Sequence, residues 1–237
     1  MIKSEKSLET PFRTGKDFFH KPSRAAAPYG YGQRVSHTFS LMVPIRSIGP
    51  SHRSRIAAHL LALMPQDRYL RFGYAANDAQ IQRYVEGLDF ERDDIFGIFN
   101  RRLQLIAMAH LAFSTDPKHN SCAEFGVSVL AHARGRGYGA RLFERAMIHA
   151  RNDGVDMMFI HALSENKAML KIARKAGALI ERDGAESEAH LMLAPASLDS
   201  HMTEMFQEHM AQTDYNFKFQ ARQFRHFLTL LQDMRHG

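Results

Sequence analysis

The 237-residue sequence is 45% hydrophobic and 24% charged, with a formal net charge of +6 and a pI of about 9.5. That apolar content suits one domain with extensions or two small ones, and a single cysteine, Cys122, excludes an intrachain disulfide and a multi-thiolate metal site. The 14 histidines show no His-Glu-x-x-His or comparable spacing, so no metal is expected.

Residues 1–36 hold seven Lys or Arg against three acids, which leaves +4 of the chain's +6 on this segment. Pro22 to Gly32 has linker composition and no amphipathic period, so 1–36 reads as a basic, disordered tail. Phe12, Phe18, Phe19, Tyr29 and Tyr31 among the basic residues are the only support for nucleic-acid binding, and nucleic acid is not the expected partner. Met1 to Phe19 contains no apolar run long enough for a signal peptide or a membrane span, and a cytoplasmic protein with no membrane contact is expected.

Ser40 to Arg46 reads as a first strand. Pro50 to Met64 reads as a first helix, opened by Ser51 and ended by Pro65, with Ile56, Leu60, Leu61 and Met64 on one side. A second helix is expected over about Asp78 to Leu88. The acids Asp67, Asp89, Glu91, Asp93 and Asp94 would attract a cationic ligand or form a solvated face. An antiparallel meander comes next: Ile95 to Phe99, a turn at Asn100-Arg101-Arg102, Leu103 to Phe113, a polar turn at Thr115 to Asn120, and a strand from Ala123 to Leu130. Alternation along this last strand puts Cys122, Glu124 and Gly126 on one face and Ala123, Phe125 and Val127 on the other. A carboxylate in an apolar strand is costly unless it meets a cleft or a partner, so Glu124 is a cleft group or an ion-pair residue. Cys122 reads as a small buried hydrophobe rather than a nucleophile.

The strand runs into Arg134-Gly135-Arg136-Gly137-Tyr138-Gly139 and a helix to Arg151, where Tyr138, Leu142, Ala146 and Ala150 recur every fourth residue with Phe143 and Met147 beside them. Arg141, Glu144, Arg145 and Arg151 lie away from that row. A glycine turn that opens a helix aims unpaired N–H groups and a positive dipole end at one spot, which suits a phosphate or pyrophosphate; Arg134 and Arg136 add mobile positive charge. The loop lacks the Gly-Lys-Ser/Thr of a P-loop, and the meander before it argues against a dinucleotide-binding half, although Asp156 lies near the acidic offset. Met157 to Leu163 reads as the next strand, and Ser164 to Gly177 contains a helix led by Asn166. Leu198 to Thr213 and Asn216 to His236 read as helices, the second with an apolar stripe of Phe217, Ala221, Phe224, Phe227, Leu228, Leu231 and Met234 that the domain or another surface must cover.

Arg134-x-x-Gly137-x-Gly139 at a helix start, preceded by Ala123-Glu124-Phe125-Gly126-Val127-Ser128-Val129, resembles the acyl-CoA motif of the GNAT superfamily of N-acyltransferases. Met157 to Leu163 and the Asn166-led helix resemble the elements beyond that motif, and Arg68-Tyr69-Leu70-Arg71-Phe72 is similar to a segment of the GNAT domains of bacterial Pat-type protein lysine acetyltransferases. The likeness spans about residues 38–195 and implies an α/β GNAT fold: a mixed, strongly bent sheet flanked by helices. It divides the chain into the tail at 1–36, a GNAT acyltransferase domain at 37–195 and a C-terminal helical extension at 196–237, through which a homodimer could form.

The resemblance also implies an N-acetyltransferase that uses acetyl-CoA as co-substrate and transfers the acetyl group directly to an amine, a protein lysine or a small amine. Glu124 would be the general base. Val127 and Val129 would offer main chain to the pantetheine arm and the thioester carbonyl; Arg134, Gly135, Arg136, Gly137, Tyr138 and Gly139 would hold the pyrophosphate; Asn166 would contact the arm. The tyrosine that many of these enzymes use as general acid is replaced by Ala173. The alternative is a silent acyl-CoA-binding sensor or interaction module.

Overall fold

The computed structural model describes residues 43–115 and 121–236, with side chains through Gln223. The basic tail and Ser40 to Met42 of the expected first strand lie outside those residues, and of the rest of that strand only Arg46 is in a strand, because pairing with the next strand begins there. The described chain is built on a seven-stranded sheet in the order β1-β2-β3-β4-β5-β7-β6, made of β1 (Arg46–Ser47), β2 (Asp94–Phe99), β3 (Leu105–Phe113), β4 (Cys122–Val129), β5 (Met157–Leu163), β6 (Leu179–Asp183) and β7 (Glu186–Met192). Only β4 and β5 pair in parallel; every other pairing is antiparallel, so the expected meander and mixed sheet are both present. Leu103, expected in β3, instead sits in the turn with φ 58°, where the Asn100 side chain accepts from the N–H groups of Arg102 and Gln104.

One side of the sheet carries α1 (Arg53–Leu61), α2 (Pro65–Phe72) and α3 (Asp78–Glu86). Helix α2 lies where a loop was expected after the first helix: Pro65 begins it rather than merely ending α1, because proline is tolerated at the first helical position, and Gly73 at φ 77° closes it. Arg68 joins all three helices. It donates to the carbonyls of Leu61, Leu63 and Ala76 and pairs with Asp78 at 2.6 Å. Asn77 caps α3 in a reciprocal box with Gln80.

The other side carries α4 (Tyr138–Asn152) and α5 (Lys167–Lys175). Leu142, Phe143, Ala146 and Ala150 are buried as the spacing required, with Phe143 edge-on to Phe125 of β4. Arg145 departs from expectation. It is 3% exposed, its guanidinium reaching Glu204 at 2.6 Å and Glu208 at 3.3 Å. Both acids belong to α6 (Leu198–His236), a single helix where two were expected, since neither glycine nor proline interrupts residues 213–216 and Lys218 pairs back to Asp214 at 2.5 Å.

The α6 joint is polar. His149 of α4 engages Glu204 through Nδ1 and Asp94 of β2 through Nε2 at 2.8 Å, while Asn152 donates to Glu204 at 2.6 Å. Burial opposes charge on His149, but the Asp94 and Glu204 carboxylates outweigh it and raise its pKa to about 9; burial likewise opposes charge on Glu204, but His149, Asn152 and Arg145 lower it to about 2. A raised histidine contributes stability that is complete below its unfolded value of about 6.5 and lost as pH rises through its folded value. A depressed carboxylate contributes above its unfolded value of about 4.3 and loses that contribution as pH falls through its folded value. The joint is therefore expected to be tightest between those two unfolded values. Amide exchange along 198–215 measured across pH should be slowest there once corrected for intrinsic rates, and His149→Ala should remove the loss on the alkaline side.

Candidate functional site

The site starts where β4 and β5 part. Their ladder pairs Cys122 with Met157, Ala123 with Met158 and Glu124 with Phe159, and extends no further. Leu130 donates to the Ile106 carbonyl at 3.0 Å while Ala107 faces Val129, which makes Ala107 and Val129 a non-hydrogen-bonded pair. The N–H and C=O of Val129, and by alternation those of Val127, therefore point away from β3 into the gap beside β5. These are the two strand positions expected to offer main chain to a ligand.

The loop lies at the wide end of that gap. Gly135 and Gly137 both have φ 75°, a left-handed conformation that favours glycine, and a Cβ on either would meet nothing within 4 Å. Gly137 is the N-cap of α4 without a side-chain cap, and the first intrahelical bond runs from Arg141 to the Gly137 carbonyl at 3.1 Å. The N–H groups of Tyr138, Gly139 and Ala140 consequently have no acceptor within the helix, and the spot before them suits an anion. Gly139 has a neighbour instead: a Cβ there would sit 3.4 Å from Ile172 Cδ1 of α5, close to an ordinary contact. Arg136 is exposed, whereas Arg134 is not a mobile charge, because its guanidinium pairs with Asp67 of α2 and its Nε donates to the Val129 carbonyl at 3.4 Å. Asn166 caps α5, its Oδ1 accepting from the Met169 N–H at 3.1 Å.

At the narrow end stands Glu124. It shares a face of β4 with Gly126 and Ser128, alongside His110 of β3, which is opposite Gly126. Burial is the main influence on Glu124 and raises its pKa; the nearby charges of His161, Arg71 and His110 pull it back, and Glu188 raises it. The Arg71 guanidinium lies flat on Gly126, where a Cβ would fall 2.7 Å from its Cζ. From Arg71 a line of hydrogen bonds crosses the sheet: Nη2 donates to Tyr84 Oη at 3.1 Å, Tyr84 Oη meets His110 Nδ1 at 2.8 Å, and His110 Nε2 meets Asp93 Oδ2 at 3.1 Å. Burial opposes charge on Asp93, but hydrogen bonds from His110 and Arg92 overcome it and hold its carboxyl low. Gly126→Ala should therefore cost little stability, since the displaced group is the end of a flexible side chain, yet move Arg71 away and raise the Glu124 pKa further. Titration of the Glu124 carboxylate by NMR checks this.

No sequence motif marks Tyr84, His110 or His161 as site residues, and Arg71 belongs only to the Arg68–Phe72 segment quoted above. One signal was available, because an isolated glycine in a strand marks a close approach, and Arg71 is what approaches Gly126. Of the five acids set out above, Asp67, Asp89, Asp93 and Asp94 are in ion pairs and Glu91 is exposed. Cys122 is buried, and burial pushes its thiol up, which suits a packing residue. Asp94, His149 and Asp153 place ligand atoms within 4.8 Å of one another, but both His149 nitrogens already engage carboxylates in the α6 joint.

A mixed sheet whose parallel pair splays beside a glycine-opened helix defines an α/β fold with an anion-binding spot at the helix start. The chain belongs to the Acetyltransferase (GNAT) family, whose profile matches residues 54–178, just over half of the sequence. Among solved structures it is similar to the GNAT domain of S. lividans PAT (19% identity, TM-score 0.54, covering 63% of this chain and 89% of that one). It is also similar to ribosomal-protein-alanine N-acetyltransferase from Brucella melitensis (16%, 0.51, 63% and 99%) and to an N-acetyltransferase from Staphylococcus aureus Mu50 (19%, 0.50, 63% and 98%). At these identities the likeness establishes the fold, and the Pat-type domain is similar to a degree close to the others. Among the described residues no helix is long and apolar enough to cross a membrane.

Proposed function

We propose that the chain is an N-acetyltransferase that moves an acetyl group from acetyl-CoA directly to an amine, with Glu124 as general base. The observation that carries this reading is the position of Glu124: a carboxyl with a raised pKa, at the residue where the β4–β5 ladder ends and the open edge of β4 begins. The main-chain edge at Val127 and Val129 fits a pantetheine arm, and the open nest from Gly135 to Gly139 fits a pyrophosphate, with Arg136 as its exposed cation. Arg134 acts through the loop it ties to α2. Asn166 is available to the arm beside its capping role.

A free alkyl ammonium has a pKa of about 10, so at neutral pH a base must remove a proton before nitrogen can attack. Glu124 takes that proton, directly or through one water. The nitrogen lone pair then bonds to the thioester carbon, the Val129 N–H offers a donor to the carbonyl oxygen, the C–S bond breaks with its electron pair on sulfur, and the nitrogen gives up its second proton to water as the amide forms. Ala173 is fully buried in α5, so no acid stands at that position, and a thiol with a pKa of about 8.5 leaves as thiolate and takes its proton from water.

Ala173 also gives the non-catalytic reading its footing, since an acyl-CoA-binding module would keep the pocket and dispense with an acid. The test is CoA release from acetyl-CoA with a panel of small amines and lysine peptides. Release that depends on an amine supports the enzyme, and acetyl-CoA binding with no release above the hydrolysis blank for any amine supports the module.

A further inference from the structure

Helix α6 has its apolar side outward. Its inward side carries Ser200, Glu204 and Tyr215, which bond to Asn152, to Arg145 and to Arg55 respectively. Its outward side carries Leu198, Met202, Met205, Phe206, Met210 and Phe217 at 85%, 70%, 73%, 58%, 42% and 71% exposure. Steps of four and three residues from Phe206 reach Met210, Thr213 and Phe217, and the same steps run on in the sequence through Gln220, Phe224, Phe227 and Leu231 to Met234. Two seam positions in every seven residues are the pattern of a coiled coil, in which one helix needs another of matching spacing.

We propose that this stripe pairs with the α6 stripe of a second copy, making the protein a homodimer. A two-fold interface requires a patch complementary to itself. The α6 stripe qualifies, because three of the four acids through residue 223, Glu204, Glu208 and Asp214, turn to Arg145, His149 and Lys218 of their own chain, which leaves Asp199 as the one acid exposed towards a second copy. A stable interface covers about 800 Å² on each partner, and six or more large apolar side chains this exposed offer an area of that order. The helix is 39 residues long, about 58 Å at ~1.5 Å per residue, enough for several heptads. A membrane surface fits less well: through residue 223 the helix has four acids against Lys218 and Arg222, whereas a helix lying on lipid is basic on its polar face.

Sedimentation equilibrium of the full chain is the test. The expected mass is twice 27.0 kDa. Met205→Glu with Phe206→Glu should raise the dissociation constant about a thousandfold or more, since each copy loses two buried apolar groups and gains two charges at the seam. Both side chains are exposed within their own protomer, so circular dichroism should be unchanged. Should the charged pair fail to fold, Phe206→Ser alone must still weaken the dimer about tenfold. A wild-type chain that stays monomeric overturns the proposal, including the case in which residues 1–42 cover the stripe, as does a dimer that both variants leave intact.

Discussion

Gly137→Glu is expected to weaken acetyl-CoA binding about a hundredfold or more, on the order of 2.7 kcal/mol, while the protein stays folded. Gly137 caps α4 at φ 75° with open space where its Cβ would point, so the new side chain meets no steric wall and its charge enters the ground before the helix's unpaired N–H groups. A carboxylate there satisfies the donors that a pyrophosphate would use and repels it as well; two like charges about 4 Å apart at a protein surface oppose each other by up to about 4 kcal/mol. A non-glycine residue in the left-handed region costs about 1–2 kcal/mol of stability, and Gly154→Glu supplies the control. Gly154 has φ 80°, open surroundings and a place at the far end of α4, so it carries the same strain with no phosphate nest. Calorimetry on the two variants should give lost binding for the first and wild-type binding for the second. Equal loss in both would mean that strain, and not occupation of the nest, is responsible.

Glu124→Gln should lower kcat by about 100- to 10,000-fold, the usual range for removal of a general base, with acetyl-CoA binding retained. The same substitution should raise the thermal midpoint at neutral pH. Burial raises the folded-state pKa of Glu124, so the folded protein holds that proton more tightly than the unfolded chain does, and stability is lost as pH rises through the folded value. Glutamine never carries the charge. The gain in Tm should therefore shrink as pH falls below the ordinary carboxylate range, where wild-type Glu124 is protonated in both states. A variant that is slower and less stable at neutral pH would place Glu124 in a structural ion pair.

Much of this site was legible because glycine spacing and strand alternation are local. The row Leu142, Ala146 and Ala150, the strand bearing Glu124, and the cap at Asn166 arise from three- and four-residue or two-residue periods, and the structure places them accordingly. What the sequence concealed depends on distant partners. Arg145 looks like a solvent residue on a helical wheel, and only Glu204 and Glu208, some 60 positions later in the chain, offset the cost of its burial. Arg134 looks free until Asp67 is beside it, and Arg71 has no visible purpose until Gly126 makes room for it. The outward residues Leu198, Met202, Phe206 and Met210 are not apparent in the sequence, because the expected break at residues 213–216 separates them from the apolar spacing that continues after it.

The most direct test of the account is the pH dependence of kcat/KM for wild type and Glu124→Gln, measured side by side with one amine acceptor. The wild-type profile should fall on the acid side with an apparent pKa above that of an ordinary glutamate, and the variant should lack that limb, keeping only the rise set by the amine itself. An acid limb that persists unchanged in Glu124→Gln would contradict the account and remove Glu124 from the chemistry.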